Sequence, residues 1–174
     1  MKRYIIFLLI VCLFSSVFLG LSKKKKFKPL PPLTSGEISG RALFRRITEE
    51  EDYENYPFWP GHEGINPGQV PHGSFHKIYI HPYLRDALPI QNRIAPPGSI
   101  IVKCNLNDRK EIMDFTIMAK VKGYSPETSD WFWAKITKDG KIIAEGRVES
   151  CIECHSIKKN NDFIIIHDLD GEVK

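Results

Sequence analysis

"WFWAKITKDGKIIAEGRVESCIECH", residues 131–155, holds two apolar runs on either side of Asp139-Gly140 and ends in a C-x-x-C-H pentad. Asp-Gly between two such runs is a strong tight-turn signal, so WFWAKIT and IIAEGRV pair as an antiparallel hairpin. Upstream, FHKIYI (75–80), GSIIVKCNL (98–106) and DFTIMAKVKGY (114–124) are further β-branched runs; downstream, DFIIIHDL (162–169) reads as a last short strand. Helical signals are fewer. Thr34 or Ser35 is a candidate cap, and Ala42, Leu43, Phe44 and Ile47 lie at roughly helical spacing, which predicts an amphipathic helix over 41–53. HPYLRDAL (81–88) carries Pro82 at the first helical position and predicts a short helix. Between them, residues 56–73 are dense in Pro, Gly and aromatic residues and form a loop. Strands without an alternating βαβ rhythm give an α+β class: a mainly antiparallel β-sheet with a few short helices at its ends or on one face. There is no internal repeat.

The chain has 174 residues, 42% hydrophobic and 26% charged, which suits one globular domain, expected over 34–174. Its net charge of +4 is matched by Lys23, Lys24, Lys25 and Lys26 alone, so the domain is near neutral and no nucleic-acid partner is implied. Lys2 and Arg3 precede an apolar run over 4–21, the pattern of an export signal or a membrane anchor occupying 1–22. A cut after Ser22 would use the small residues Gly20 and Ser22; an uncleaved anchor is the alternative, whereas a lipid anchor on Cys12, in mid-run after Val11, fits poorly. The Lys- and Pro-rich 23–33 segment reads as a tether. The domain is therefore expected outside the cytoplasm, periplasmic, secreted or membrane-tethered, where disulfides are permitted and c-type haem is attached.

In that setting Cys151, Cys154 and His155 supply two thiols spaced for the two vinyl groups of a haem and a histidine to ligate its iron. Zinc would need four N or S ligands, and no second C-x-x-C or H-x-x-x-H is present. A thioredoxin-like dithiol belongs between a strand and a helix of a parallel unit, not after a hairpin. A Cys151–Cys154 structural disulfide is the remaining alternative to haem.

Lys103 shares a strand face with Ile101, where an edge lysine with its head in water is the plainer reading. Cys104 points to the opposite face as a buried thiol. His72 is a candidate sixth iron ligand or distal hydrogen-bonder, or a loop histidine satisfied by backbone. Trp131, Phe132 and Trp133 read as core and, beside a porphyrin, as its packing wall. His76, His81 and His167 carry no local signal.

The ordered series WPG from Trp59, PHG from Pro71, IYI from Ile78, PPGSIIVK ending at Lys103, MAKVKGYSP from Met118, DWFWA from Asp130 and CIECH resembles the cytochrome P-460 family over about 56–168. The resemblance implies a mainly antiparallel β fold, one covalently attached haem c with its iron, and a homodimer. It implies that Cys151 and Cys154 hold the porphyrin and that His155 is the proximal ligand, with the distal face open to a small ligand such as nitric oxide or hydroxylamine. It places Lys103 on the lysine that bonds the macrocycle a further time, a bond missing in the relatives called cytochromes c-prime-beta. Family enzymes that oxidise hydroxylamine use a distal carboxylate near the position of Thr116. Asp114, two residues away, would share its face and is the candidate replacement; otherwise proton transfer is impaired. The implied roles are thus catalytic for Asp114 and Lys103, with hydroxylamine oxidation or, alternatively, non-catalytic nitric-oxide binding or electron transfer to a redox partner protein.

Overall fold

The computed structural model describes residues 31–171. The export or anchor segment, Cys12 and all of the tether before residue 31 lie outside the described residues.

Six antiparallel strands form one sheet in sequential order: β1 Asn66–Pro67, β2 Phe75–Ile80, β3 Ile100–Leu106, β4 Ile112–Lys120, β5 Trp131–Thr137 and β6 Ile142–Gly146. The predicted hairpin is β5 and β6, with Gly140 at φ +86° in the turn, a backbone conformation that favours glycine. Because side chains alternate along a strand, β3, β4 and β5 each feed two cores. On one face Val102, Cys104, Phe115, Ile117, Phe132 and Ile136 pack against Leu43, Ile47, Tyr53 and Tyr56 from the N-terminal helical segment. On the other, Ile78, Ile101, Met118, Trp131 and Trp133 pack against Trp59, Leu84, Phe163 and Leu169. Both faces being covered explains why IIVKCNL is a nearly continuous apolar run.

The N-terminal helix is not the single helix expected over 41–53. Helix α1 spans Gly40–Arg45 and is capped by Ser39, whose hydroxyl accepts from Ala42 N at 3.1 Å; Thr34 instead donates to the Glu37 carboxylate at 2.8 Å. The chain then widens into a π-helical turn over Arg46–Glu50. A π turn superposes residues five apart. Glu51 N donates to Arg46 O at 2.9 Å, and the buried Arg46 guanidinium meets the Glu51 carboxylate at 2.9 and 3.0 Å. Asp52, at φ 58°, ends the segment, and a separate one-turn helix follows at Tyr53–Asn55. Gly40 is where α1 meets β6. A Cβ there would lie 2.6 Å from Glu145 Oε2, which accepts from Gly40 N.

Helix α2, Pro82–Ala87, forms as expected, with His81 Nδ1 as the cap accepting from Tyr83 N at 3.1 Å. The expected last strand, 162–169, is a loop. Asp162 and Phe163 are both left-handed (φ 56° and 63°), which excludes extended pairing there. Its polar groups are served by the buried Asn161 side chain, which donates to Ile164 O and His167 O at 2.7 Å and accepts from Leu169 N at 2.8 Å.

Candidate functional site

Cys151, Cys154 and His155 lie on helix α3, Glu149–His155, which leaves the end of β6 and lies beside the second core. Cys151 is half-buried against that core and Cys154 is exposed; both thiols are free, so the disulfide reading is not what the structure holds. Burial pushes the Cys151 thiol up. His155 Nδ1 lies 2.7 Å from Phe163 O. A carbonyl can only accept, so Nδ1 carries the proton and the Nε2 lone pair is left available. Its ring stands edge-on to Trp133, centroids 4.8 Å apart. Burial disfavours the imidazolium, against the Phe163 hydrogen bond and with the nearby Lys103 charge, so His155 sits below its ordinary pKa.

The sheet face beneath α3 is ordered in three rows by the strand register. The first row, Ile80, Ile101, Met118 and Trp133, is apolar or aromatic. The second is Ile78, Lys103, Thr116, Lys135 and Ala144, and the third is His76, Asn105, Asp114 and Thr137. Lys103 and Thr116 are therefore direct cross-strand neighbours, with Asp114 one row further out, on the shared face expected of it.

Burial alone lowers Lys103 to about 8. Asp114 accepts from Asn105 Nδ2 at 2.6 Å and lies 3.5 Å from Lys135 Nζ. Thr116 Oγ1 is 3.3 Å from His72 Nδ1 and 3.4 Å from Asn105 Nδ2. His72 is brought into the site from its loop: burial first, then the charges of Lys103, His155, Lys135 and His76, lowers it to about 4. His76 is also lowered to about 4, by burial and then by Lys103 and His62.

Sequence reasoning gave His76, Asn105, Lys135 and the Phe163 carbonyl no role. Alternation along FHKIYI does put His76 on the face of Ile78 and Ile80, but its neighbours depend on the β2–β3 register, which the sequence does not carry. His81 and His167, also without signal, lie elsewhere: His81 caps α2, and His167 is edge-on to Trp59.

The chemistry of the residues on this wall and on α3 fits a haem. His76 Nδ1 and Nε2, Asn105 Oδ1 and Trp133 Nε1 are buried without a hydrogen-bond partner, and all four project from the same face. Each unpaired buried polar group costs about 1–3 kcal/mol, so these atoms leave on that face hydrogen-bonding capacity that a bound group can take up. Two free thiols and an imidazole with an available Nε2 are of the donor types that a covalently held haem would need.

A family model described as Cytochrome P460 matches residues 50–166, from the end of the π turn through α3 into the Asn161 loop. No curated protein matches the chain.

Proposed function

The chain belongs to the cytochrome P460 family and is a haem cytochrome of that family, and from this premise we propose that it carries one covalent haem c and binds a small nitrogen-oxide ligand such as nitric oxide or hydroxylamine. The observation that carries this reading is His155, held by Phe163 O through Nδ1 with Nε2 available, beside two free cysteines and opposite the Lys103 row. Cys151 and Cys154 would attach the porphyrin and His155 would ligate the iron. Bound there, haem supplies reversible one-electron chemistry and an open coordination position for the ligand.

The protein's own groups supply the rest. Phe163 O orients the imidazole, and Trp133 braces its ring. Lys103 is the candidate for the additional bond to the macrocycle, which requires an unprotonated amine. With the amine near 8, roughly one-tenth is neutral at pH 7, against well under one-hundredth for an ordinary lysine. His72 and His76 are neutral at that pH, and each can accept or pass a proton. In hydroxylamine oxidation Asp114 would be the proton acceptor, held in place by the Asn105 amide, which also contacts Thr116; Thr116 in turn meets His72.

One observation favours the alternative of ligand binding or electron transfer without turnover. The residue directly opposite Lys103 is Thr116, a hydroxyl, while Asp114 is engaged by Asn105 and Lys135. The remaining elements of the reading are export or anchoring by the N-terminal segment, a redox partner protein and a homodimer.

Production with a c-type maturation system tests the reading. Mass spectrometry should find one haem on the chain, and nitric oxide should bind it; absence of covalent haem excludes both versions. The Lys103→Ala variant should shift the reduced spectrum to that of ordinary haem c, and an unchanged spectrum removes the lysine bond. Hydroxylamine turnover that Asp114→Asn lowers tenfold or more favours the oxidase; nitric oxide binding without turnover favours the alternative.

A further inference from the structure

We propose that the buried Lys120–Asp162 pair is a positioning device for His155: it clamps the turn whose Phe163 carbonyl holds the imidazole, and so sets how strongly His155 donates to the iron. The inference rests on the reading of His155 as the axial ligand.

Lys120 is the last residue of β4, and its ammonium lies 2.6 and 2.7 Å from the two Asp162 carboxylate oxygens, with side chains 5% and 0% exposed. Burial pushes Lys120 down and Asp162 up, and their contact opposes both shifts. The carboxylate also accepts from Ala95 N at 2.8 Å, and the Asp162 carbonyl accepts from Trp131 Nε1 at 2.8 Å. The Lys120 ammonium is 4.9 Å from the Trp131 ring centroid, so one tryptophan meets both members of the pair. Asp162 is thereby fixed to β4, to β5 and to the loop before β3.

What this anchoring holds is an unfavourable backbone. Asp162 and Phe163 are consecutive non-glycine residues with positive φ, each costing on the order of 1 kcal/mol or more, a conformation that persists only where its surroundings enforce it. The enforcing contacts end at Phe163, whose N donates to Lys158 O at 3.0 Å and whose O meets His155 Nδ1 at 2.7 Å. Asp162 does not touch His155; it acts through the peptide it orients. Stability alone does not account for the pair, because replacing a buried ion pair with apolar residues is often neutral or favourable. A role in geometry does account for it. An acceptor on the distant imidazole nitrogen raises ligand basicity, which favours oxidised iron. Release of the turn lengthens that hydrogen bond and weakens donation.

The test uses the haem-loaded protein. The iron–histidine stretching band of the ferrous form and the midpoint potential are measured for wild type, Asp162→Asn and the double variant Lys120→Met/Asp162→Asn. The double variant leaves no charge buried and serves where the single one does not fold. The expected result is a lower band frequency and a higher midpoint potential at unchanged haem content. Lys158→Ala, which breaks the exposed Lys158–Asp168 pair of the same loop, should move neither. A haem-loaded Asp162 variant with both readouts at their wild-type values overturns the inference. A wild-type protein lacking covalent haem overturns the functional reading on which it rests, and is recognised before any variant is compared.

Discussion

Lys103 and His76 occupy one face of the sheet, and burial acts on both in the same sense by penalising the protonated form. Each folded-state pKa lies below the ordinary value, so the folded protein binds fewer protons than the unfolded chain in the interval between, and stability rises with pH through that interval. For His76 the interval runs from about 4 to 6.5, and for Lys103 from about 8 to 10.5. His76 thus contributes acid lability below neutral pH. Because it is buried with both ring nitrogens unpaired, a shift of this size corresponds to at most about 3 kcal/mol lost on going from pH 7 to pH 4. Urea unfolding of His76→Phe at pH 7 and pH 4.5 should show a stability loss smaller than wild type by about 1–2 kcal/mol. Equal losses in the two proteins would mean that His76 has a protonation partner in solution and is not the source of the acid sensitivity.

The π turn and α3 lie on opposite faces of the sheet, and the turn combines the apolar contact of Ile47 with a buried ion pair, Arg46–Glu51. Burial pushes Glu51 up, but hydrogen bonds from His81, Tyr56 and Arg46 outweigh it and hold it at about 2. This stability is complete above pH 4.5 and is lost as pH falls toward 2. Glu51→Ala leaves the Arg46 guanidinium buried without its carboxylate, and should cost about 3–5 kcal/mol in denaturant unfolding. Its haem spectrum should stay that of wild type; a changed spectrum would show that the two faces communicate. The turn also marks the limit of what the sequence told. Ala42, Leu43, Phe44 and Ile47 fit a helical stripe, so the segment read as one amphipathic helix, and nothing in that pattern marks Arg46 and Glu51 as a buried pair. Their burial becomes visible only once Tyr56, five residues on, and His81, from a distant segment, are brought against them. DFIIIHDL misled for a related reason. Its β-branched run satisfies strand propensity, while its actual organiser is Asn161, whose single side chain replaces a neighbouring strand. The β5–β6 hairpin and strands β2, β3 and β4 were legible because alternation and the Asp139-Gly140 turn are local signals. The C-x-x-C-H pentad is likewise a local signal, whereas the neighbours of His76 depend on register.

At the scale of the molecule, the sheet separates a face closed by its own N-terminal segment from a face whose first and third rows carry the four unpaired polar atoms. The first face has what it needs from the chain. Leu43, Ile47, Tyr53 and Tyr56 cover it, and its aromatic contacts, such as Tyr53 on Tyr79 and on Phe115, are internal. The second depends on α3 and the Asn161 loop, which approach the sheet mainly through Trp131, Trp133 and the Lys120–Asp162 pair. A group bound between them stabilises the elements it touches and leaves others to their intrinsic stability. Hydrogen exchange of protein made with and without haem maturation should then differ by face. Amides of α3, of 156–169 and of β6 should exchange at least tenfold more slowly with haem attached, while those of α1 and the π turn should change little. Central β3 and β4 amides, shared by both cores, should stay protected in either form. Slowing spread evenly from α1 to α3 would instead describe one cooperative core that haem stabilises as a whole, and the division of labour between the faces would not hold.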